Sequence, residues 1–259
     1  LPVFIEAYDR VIEKLGRVYR TAGDVLVFTA SGTGAFESVF ANTVMPGERV
    51  LCVSAGAFGE RWIAMAEAYG AEVVPLRFAP GERPDPEQVA AAMLDPTLAL
   101  AVVVHSETSA GTVADIEQIA ERSRGRACLF AVDCVSSLGA LPIETDAWSL
   151  DVVIAGSQKA LMCPPGLAFA SVSEAAWKRA DVVSTPRFYF DWRRTQAAQR
   201  GGGSPFTCAI PVVLGLDASL DLVLEEGLEA IQSRVQATAG RFRARVREHG
   251  LALLSPDDP

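Results

Sequence analysis

Short apolar runs alternate with amphipathic stretches through the first two-thirds of the chain, and that alternation predicts parallel βαβ units. Residues 25–29, 50–54, 72–76 and 98–104 read as strands. The run 98–104 is apolar at every position, as a strand covered on both faces requires. Helical periodicity fills the gaps at 34–43, 61–69, 86–94 and 115–124, and further strands follow at 128–132 and 152–155, with 166–172 as a strand that returns. Asp85, between Pro84 and Pro86, reads as an N-cap with Pro86 as the first helical residue. Beyond 174 the pattern turns mixed and polar, and Gly201-Gly202-Gly203 marks a flexible connection. Residues 211–225 and 228–248 read as two amphipathic helices divided near Gly227. The pattern contains no internal repeat. It predicts an α/β fold, a mostly parallel central sheet with helices on both faces, over 1–210, and a helical connection over 211–259.

Composition narrows the function classes. At 259 residues and 50% hydrophobic content the chain can bury a large core. A formal charge of -9 argues against a nucleic-acid partner, since phosphate contacts need clustered Lys and Arg. Arg241, Arg243, Arg245 and Arg247 do form a basic run, but every-second spacing in a helix spreads them around it into a solvated surface. The five cysteines are odd in number, unpaired in spacing and set mostly in apolar segments, the usage of a reducing compartment. No apolar run approaches the roughly 20 residues that span a bilayer, and no charged segment followed by an apolar one opens the chain. The expectation is a cytoplasmic protein with no membrane partner. Only His105 and His249 occur, which excludes a histidine-rich metal site. The chain starts at Leu1 without methionine and stops in a turn-forming stretch, 255–259, so both ends are expected to be cut.

Candidate chemistry gathers where strands end. Gly156-Ser157-Gln158-Lys159-Ala160-Leu161 places a lysine in the turn after a short apolar strand, where desolvation frees an amine to attack a carbonyl; the alternative is a solvated loop lysine. Ser31-Gly32-Thr33-Gly34 hands a strand over to a helix, so its N–H groups and hydroxyls suit a phosphate, although a tight turn needs the same small residues. No Walker lysine follows it. Asp133 ends an apolar strand at the edge where parallel sheets bind ligands; it either caps a helix or partners a protonated pyridinium nitrogen. Phe58 offers a flat face for such a ring, or belongs to the core. The segment from His105 to Gly111 ends another strand in hydroxyls and charges, and Thr108 is the candidate to bond a phenolic oxygen.

Taken in order, Ser31-Gly32-Thr33, Phe58, the segment His105-Ser106-Glu107-Thr108-Ser109-Ala110-Gly111, Asp133-Cys134-Val135-Ser136 and Gly156-Ser157-Gln158-Lys159-Ala160-Leu161 resemble the class V aminotransferases. The likeness is closest to the alanine/glyoxylate and serine/pyruvate group and covers nearly the whole chain. It implies a fold type I pyridoxal 5'-phosphate enzyme, a homodimer with its site at the subunit interface. It makes Lys159 the Schiff-base lysine and proton shuttle, Asp133 the pyridinium partner and Phe58 the stacking ring. Ser31, Gly32, Thr33 and Gln158 would hold the phosphate, Thr108 the phenolic oxygen, and Val135 would pack beneath the ring. Thr207, in Ser204-Pro205-Phe206-Thr207, would reach the partner's phosphate, with an ordinary turn as the alternative. The implied reaction moves an amino group from a small amino acid, alanine or serine, to a 2-oxo acid, glyoxylate or pyruvate. The ends depart from the family: the C-terminal small domain, with its arginine for the substrate carboxylate, is expected to be largely absent, as is a glycine-rich N-terminal segment.

Two other functions compete. A lyase of the cysteine desulfurase type shares the fold and the lysine, but stacks a histidine where this chain has Phe58 and needs a reactive cysteine. A truncated, non-catalytic homologue acting as a dimeric scaffold is the other; the cut ends favour it and the cofactor constellation opposes it.

Overall fold

The computed structural model describes residues 2–255; Leu1 and positions 256–259 of the turn-forming terminal stretch lie outside the described residues. Along the chain it runs α1 (Pro2–Tyr19), β1 (Asp24–Phe28), α2 (Gly32–Thr43), β2 (Arg49–Ser54), α3 (Ala57–Ala68), β3 (Glu72–Arg77), α4 (Pro86–Met93) and β4 (Leu98–Val104). A two-stranded hairpin, β5 (Ser106–Glu107) and β6 (Thr112–Val113), precedes α5 (Ile116–Arg122), β7 (Leu129–Asp133), β8 (Val152–Gly156) and β9 (Ala168–Val172). Four helices complete it: α6 (Glu174–Val182), α7 (Trp192–Arg200), α8 (Ile210–Glu226) and α9 (Leu228–Glu248).

The main sheet has the order β1-β9-β8-β7-β4-β2-β3. The pairs from β8 through β7, β4 and β2 to β3 are all parallel. Only β9, the returning strand, is antiparallel, both to β8 and to β1. Two reversals restore direction, so β1 points the same way as β8. The C-terminal ends of β1, β2, β4, β7 and β8 therefore lie along one edge, the edge where open α/β sheets bind ligands.

Successive strand residues point to opposite faces, and the core divides accordingly. On one face, Ala101 and Val103 of β4 join Val27, Val53, Phe130 and Val153 under α1, α4, α5 and α8. On the other, Leu100, Val102 and Val104 join Leu26, Cys52 and Ile154 under α2, α3, α6 and α7. Burial on both faces is why β4 shows no polar alternation.

Local signals hold at several caps. Asp85 accepts the Glu87 N–H at 3.1 Å, and Asp115 accepts that of Gln118 at 3.0 Å. Elsewhere tertiary structure moved a boundary. The periodicity starts a helix at 61, whereas α3 starts at Ala57, because the Glu107 carboxylate accepts the N–H groups of Phe58 (3.0 Å) and Gly59 (3.1 Å). Such a cap comes from 49 residues away and has no local signature. The polar region 174–203 contains α6 and α7, capped by Ser173 and Asp191. Helix α1, which the sequence reading left unassigned, buries Tyr8, Val11, Leu15 and Tyr19. It lies against α8, where Arg10 and Lys14 both reach Asp217 at 2.6 Å.

Candidate active site

At the end of β1, Ser31 N-caps α2 through its backbone, whose carbonyl accepts the Gly34 N–H at 2.8 Å; its exposed hydroxyl makes no cap bond. Gly32 is buried, and a Cβ there would lie 2.9 Å from a Val135 methyl. That contact brings the helix start directly against the turn after β7. Thr33, half-buried, accepts from the Arg61 guanidinium at 3.2 Å. An unused hydroxyl, free helix-start N–H groups and a glycine-lined approach suit an anion.

Asp133 ends β7, opposite Val104 of β4 on one side and Ile154 of β8 on the other. Its carboxylate is 4% exposed and accepts the Val135 N–H at 2.9 Å. Burial raises its pKa from 3.8 to about 7; the Val135 N–H and the Trp62 indole pull downward, Glu107 pushes upward and Arg61 pulls downward. No salt bridge compensates it among the described residues. A buried carboxylate in that condition calls for a cationic hydrogen-bond donor.

Gly156 ends β8, and Gln158 and Lys159 occupy the turn beyond it. The Gln158 Oε1 is buried without a partner, an orphan acceptor beside Gly156, which in turn lies against Val135. Lys159 is exposed, where the sequence reading expected a buried amine. The turn holding it sits at the open edge, so this chain by itself leaves the amine in solvent. Phe58, half-buried in the first turn of α3, has the Arg61 guanidinium 4.8 Å from its ring centre.

Thr108 is exposed at the tip between β5 and β6. Its neighbours organise the loop. Glu107 is 2% exposed and accepts from the Phe58, Gly59 and Ser109 N–H groups and from the Ser109 hydroxyl (2.5 Å). Ser109 in turn accepts the Ala57 N–H at 2.9 Å. Sequence reasoning quoted Glu107 only as part of a motif, Arg61 only as the start of a helix, and Trp62 not at all. The signal available was a glutamate among hydroxyls at a strand end; its partners are set by the fold alone.

His105 adds to the rear of this edge. Its backbone N–H donates to the Asp133 carbonyl at 3.0 Å, its Nδ1 faces the Cys134 thiol at 3.6 Å, and burial lowers its pKa to about 4, so the ring is neutral at physiological pH. Thr207 is exposed, next to Phe206, which stacks on Tyr189 at 4.9 Å; two residues on, the Ala209 N–H donates to the Thr29 hydroxyl at 3.4 Å. Ser31, Gly32, Thr33, Phe58, Asp133, Val135, Gln158 and Lys159 thus share one edge, with Thr108 at its rim. Among the described residues no group of three or more His, Cys, Asp or Glu side chains is disposed to hold a metal ion, and no helix is long and apolar enough to cross a membrane.

The chain is similar to known proteins over nearly its whole length. The family model for aminotransferase class-V matches residues 3–258. A protein named soluble hydrogenase 42 kDa subunit, from Anabaena cylindrica, is 35% identical over 98% of this chain and 68% of its own length. An L-aspartate–glyoxylate aminotransferase from Paracoccus denitrificans is 33% identical over 98% of this chain and 66% of its own length. The crystal structure of an alanine–glyoxylate aminotransferase from Nostoc sp. superposes with a TM-score of 0.92 at 31% identity, covering 97% of this chain and 68% of that one. The chain thus spans about two thirds of the length of the relatives it matches.

Proposed function

Since this chain belongs to the class-V aminotransferases, whose cofactor is pyridoxal 5'-phosphate, we propose that it transfers the amino group of a small amino acid, alanine or serine, to a 2-oxo acid such as glyoxylate or pyruvate. The observation that carries the reading is Asp133: a buried carboxylate, raised to about 7 by burial and lacking a salt bridge, on the strand beside the one that leads into Lys159. A protonated pyridine nitrogen supplies the donor it lacks. The residues present fit the cofactor in other respects, namely the orphan Gln158 Oε1 and the Gly32 approach against Val135.

Bound there, the cofactor supplies an electron sink that stabilises negative charge at the substrate α-carbon. Lys159 would provide the amine that holds the cofactor and would carry the proton to and from that carbon. Asp133 would keep the ring nitrogen protonated, and Phe58 and Val135 would hold the ring. Ser31, Gly32, Thr33 and Gln158 would anchor the phosphate, and Thr108 would bond the phenolic oxygen. All of these lie in 1–210, the segment we assign to cofactor binding, with 211–259 as the helical connection. Borohydride reduction of the cofactor-loaded protein followed by peptide mapping tests the assignment; label on Lys159 is expected, and label on Lys14 or Lys178 refutes it. Formation of glycine from glyoxylate, dependent on alanine or serine, tests the reaction.

A homodimer belongs to the proposal. The exposed rings of Phe188 and Tyr189, gathered on Phe206 beside Thr207, support it as an apolar surface suited to a second copy. Thr207 would then serve the partner's phosphate. The free cysteines support a cytoplasmic setting. They also weigh against the lyase alternative: burial pushes Cys128 up to about 11, Cys52 up to about 12, and Cys134, Cys163 and Cys208 upward too, so a ready thiolate is lacking among them. The scaffold alternative is opposed by Asp133, an electrostatic cost that binding alone would not need.

A further inference from the structure

We propose that Arg61, which none of the sequence motifs includes, is the cationic partner of the cofactor's phosphate; the inference rests on the reading of this edge as the cofactor site. The Ser31-Gly32-Thr33 turn offers hydroxyls and N–H groups but no positive side chain, while a phosphate ester brings close to two negative charges. Arg61 projects from α3, and its Nη1 lies 3.2 Å from the Thr33 hydroxyl, within the same turn. Its guanidinium also lies 4.8 Å from the Phe58 ring centre, and its charge lowers the pKa of Asp133.

Its electrostatic position identifies a ligand of negative charge. Arg61 sits near the start of α3, where the helix dipole opposes a cation, and it reaches toward the start of α2, where the second dipole opposes it again. Neighbouring elements show the contrast: Arg77 is bound to Glu60 at 2.8 Å and Arg187 lies 3.9 Å from Asp191. Arg61 forms no salt bridge with a described carboxylate. Two helix starts and an unneutralised guanidinium around one small turn make a locus of positive potential that a dianion relieves, and the planar fork of arginine suits two phosphate oxygens at once.

Arg61→Gln and Arg61→Lys, in the full chain, test the assignment with three probes. Dissociation constants for pyridoxal 5'-phosphate and for pyridoxal, which lacks the phosphate, are measured by titration of the protein's fluorescence. Loss of a charge-assisted phosphate contact should weaken the phosphorylated form about ten- to a hundredfold in Arg61→Gln and leave pyridoxal within about twofold, with partial recovery in Arg61→Lys. Equal weakening of both forms would make Arg61 a ring contact and overturn the proposal, as would no change in either. Inorganic phosphate provides the third probe, because it needs no ring: it should raise the melting temperature of the cofactor-free wild type but not of Arg61→Gln. Protection that is absent in the wild type or equal in both proteins refutes the phosphate role. Failure of the wild type to bind pyridoxal 5'-phosphate while phosphate protection persists would instead indict the cofactor reading.

Discussion

Two buried carboxylates stand on adjacent strand ends of this edge and lead opposite lives. Glu107, after β4, is satisfied: three N–H groups and a hydroxyl converge on it, drawing the start of α3 and the β5-β6 turn into one unit. Asp133, at the end of β7, is just as buried but accepts one N–H bond in good geometry, and burial raises it to about 7. Similar burial with unequal satisfaction separates a carboxylate that builds the scaffold from one left with unmet hydrogen-bonding capacity, the one proposed to meet the cofactor. Burial alone identifies neither.

The largest expected effect is on rate. Asp133→Asn should slow proton transfer at the substrate α-carbon at least about a hundredfold while cofactor affinity stays within severalfold, since asparagine fills the space but cannot hold the ring nitrogen protonated. Single-turnover absorbance with alanine measures it, and an unchanged rate would erase the distinction between the two groups.

Glu107→Ala should act on stability instead, by about 3 kcal/mol, because it strands three N–H groups and releases the start of α3. Urea unfolding of the cofactor-free protein is the measurement. A loss below about 1 kcal/mol would mean that the loop holds itself.

The pH dependence of stability sharpens the contrast further. With a native value near 7 against an ordinary 3.8, Asp133 keeps its proton in the folded state after the unfolded chain has released it. Its contribution is therefore full below about pH 4 and is lost as pH rises toward 7, on the order of 4 kcal/mol in the cofactor-free protein. Asp133→Asn should remove that slope and be the more stable form at about pH 8. Wild-type stability that instead rises, relative to the variant, between about pH 5 and pH 8 would contradict the sign.

The smallest effect belongs to the surface. Lys178→Ala breaks the exposed pair with Glu174, 2.6 Å apart on α6, and should cost no more than about 0.5 kcal/mol in the same unfolding assay. It serves as the reference against which the Glu107 effect is judged.

Much of the edge is legible in the chain itself, because strand ends in a parallel sheet are marked by a change from apolar runs to glycines, hydroxyls and charges. That change is what exposes Ser31-Gly32-Thr33, Asp133 and Gln158-Lys159. The caps at Asp85 and Asp115 are equally local, since the side chain and the N–H it serves lie within three residues. Arg61 and Glu107 escape such reading. Each acts on a residue far along the chain, Thr33 in one case and Phe58 in the other, and an arginine in a helix or a glutamate in a loop looks like ordinary solvated surface. Helix α1 is different: Tyr8, Val11, Leu15 and Val18 recur at helical spacing and are open to reading, whereas its ion pair to Asp217, 203 residues beyond Lys14, is not.

The sequence by itself determined the elements, their alternation and the residue types at strand ends, because hydrophobic period and turn chemistry act within a few residues. The tertiary structure decided the rest. Strand order, with β9 reversed between β1 and β8, brings the phosphate turn beside the lysine turn. Packing decides which of two buried carboxylates is satisfied, and turns the Arg61 guanidinium toward the Thr33 hydroxyl. Those outcomes depend on distances between groups that the chain separates by dozens of residues, and only the folded arrangement fixes such distances.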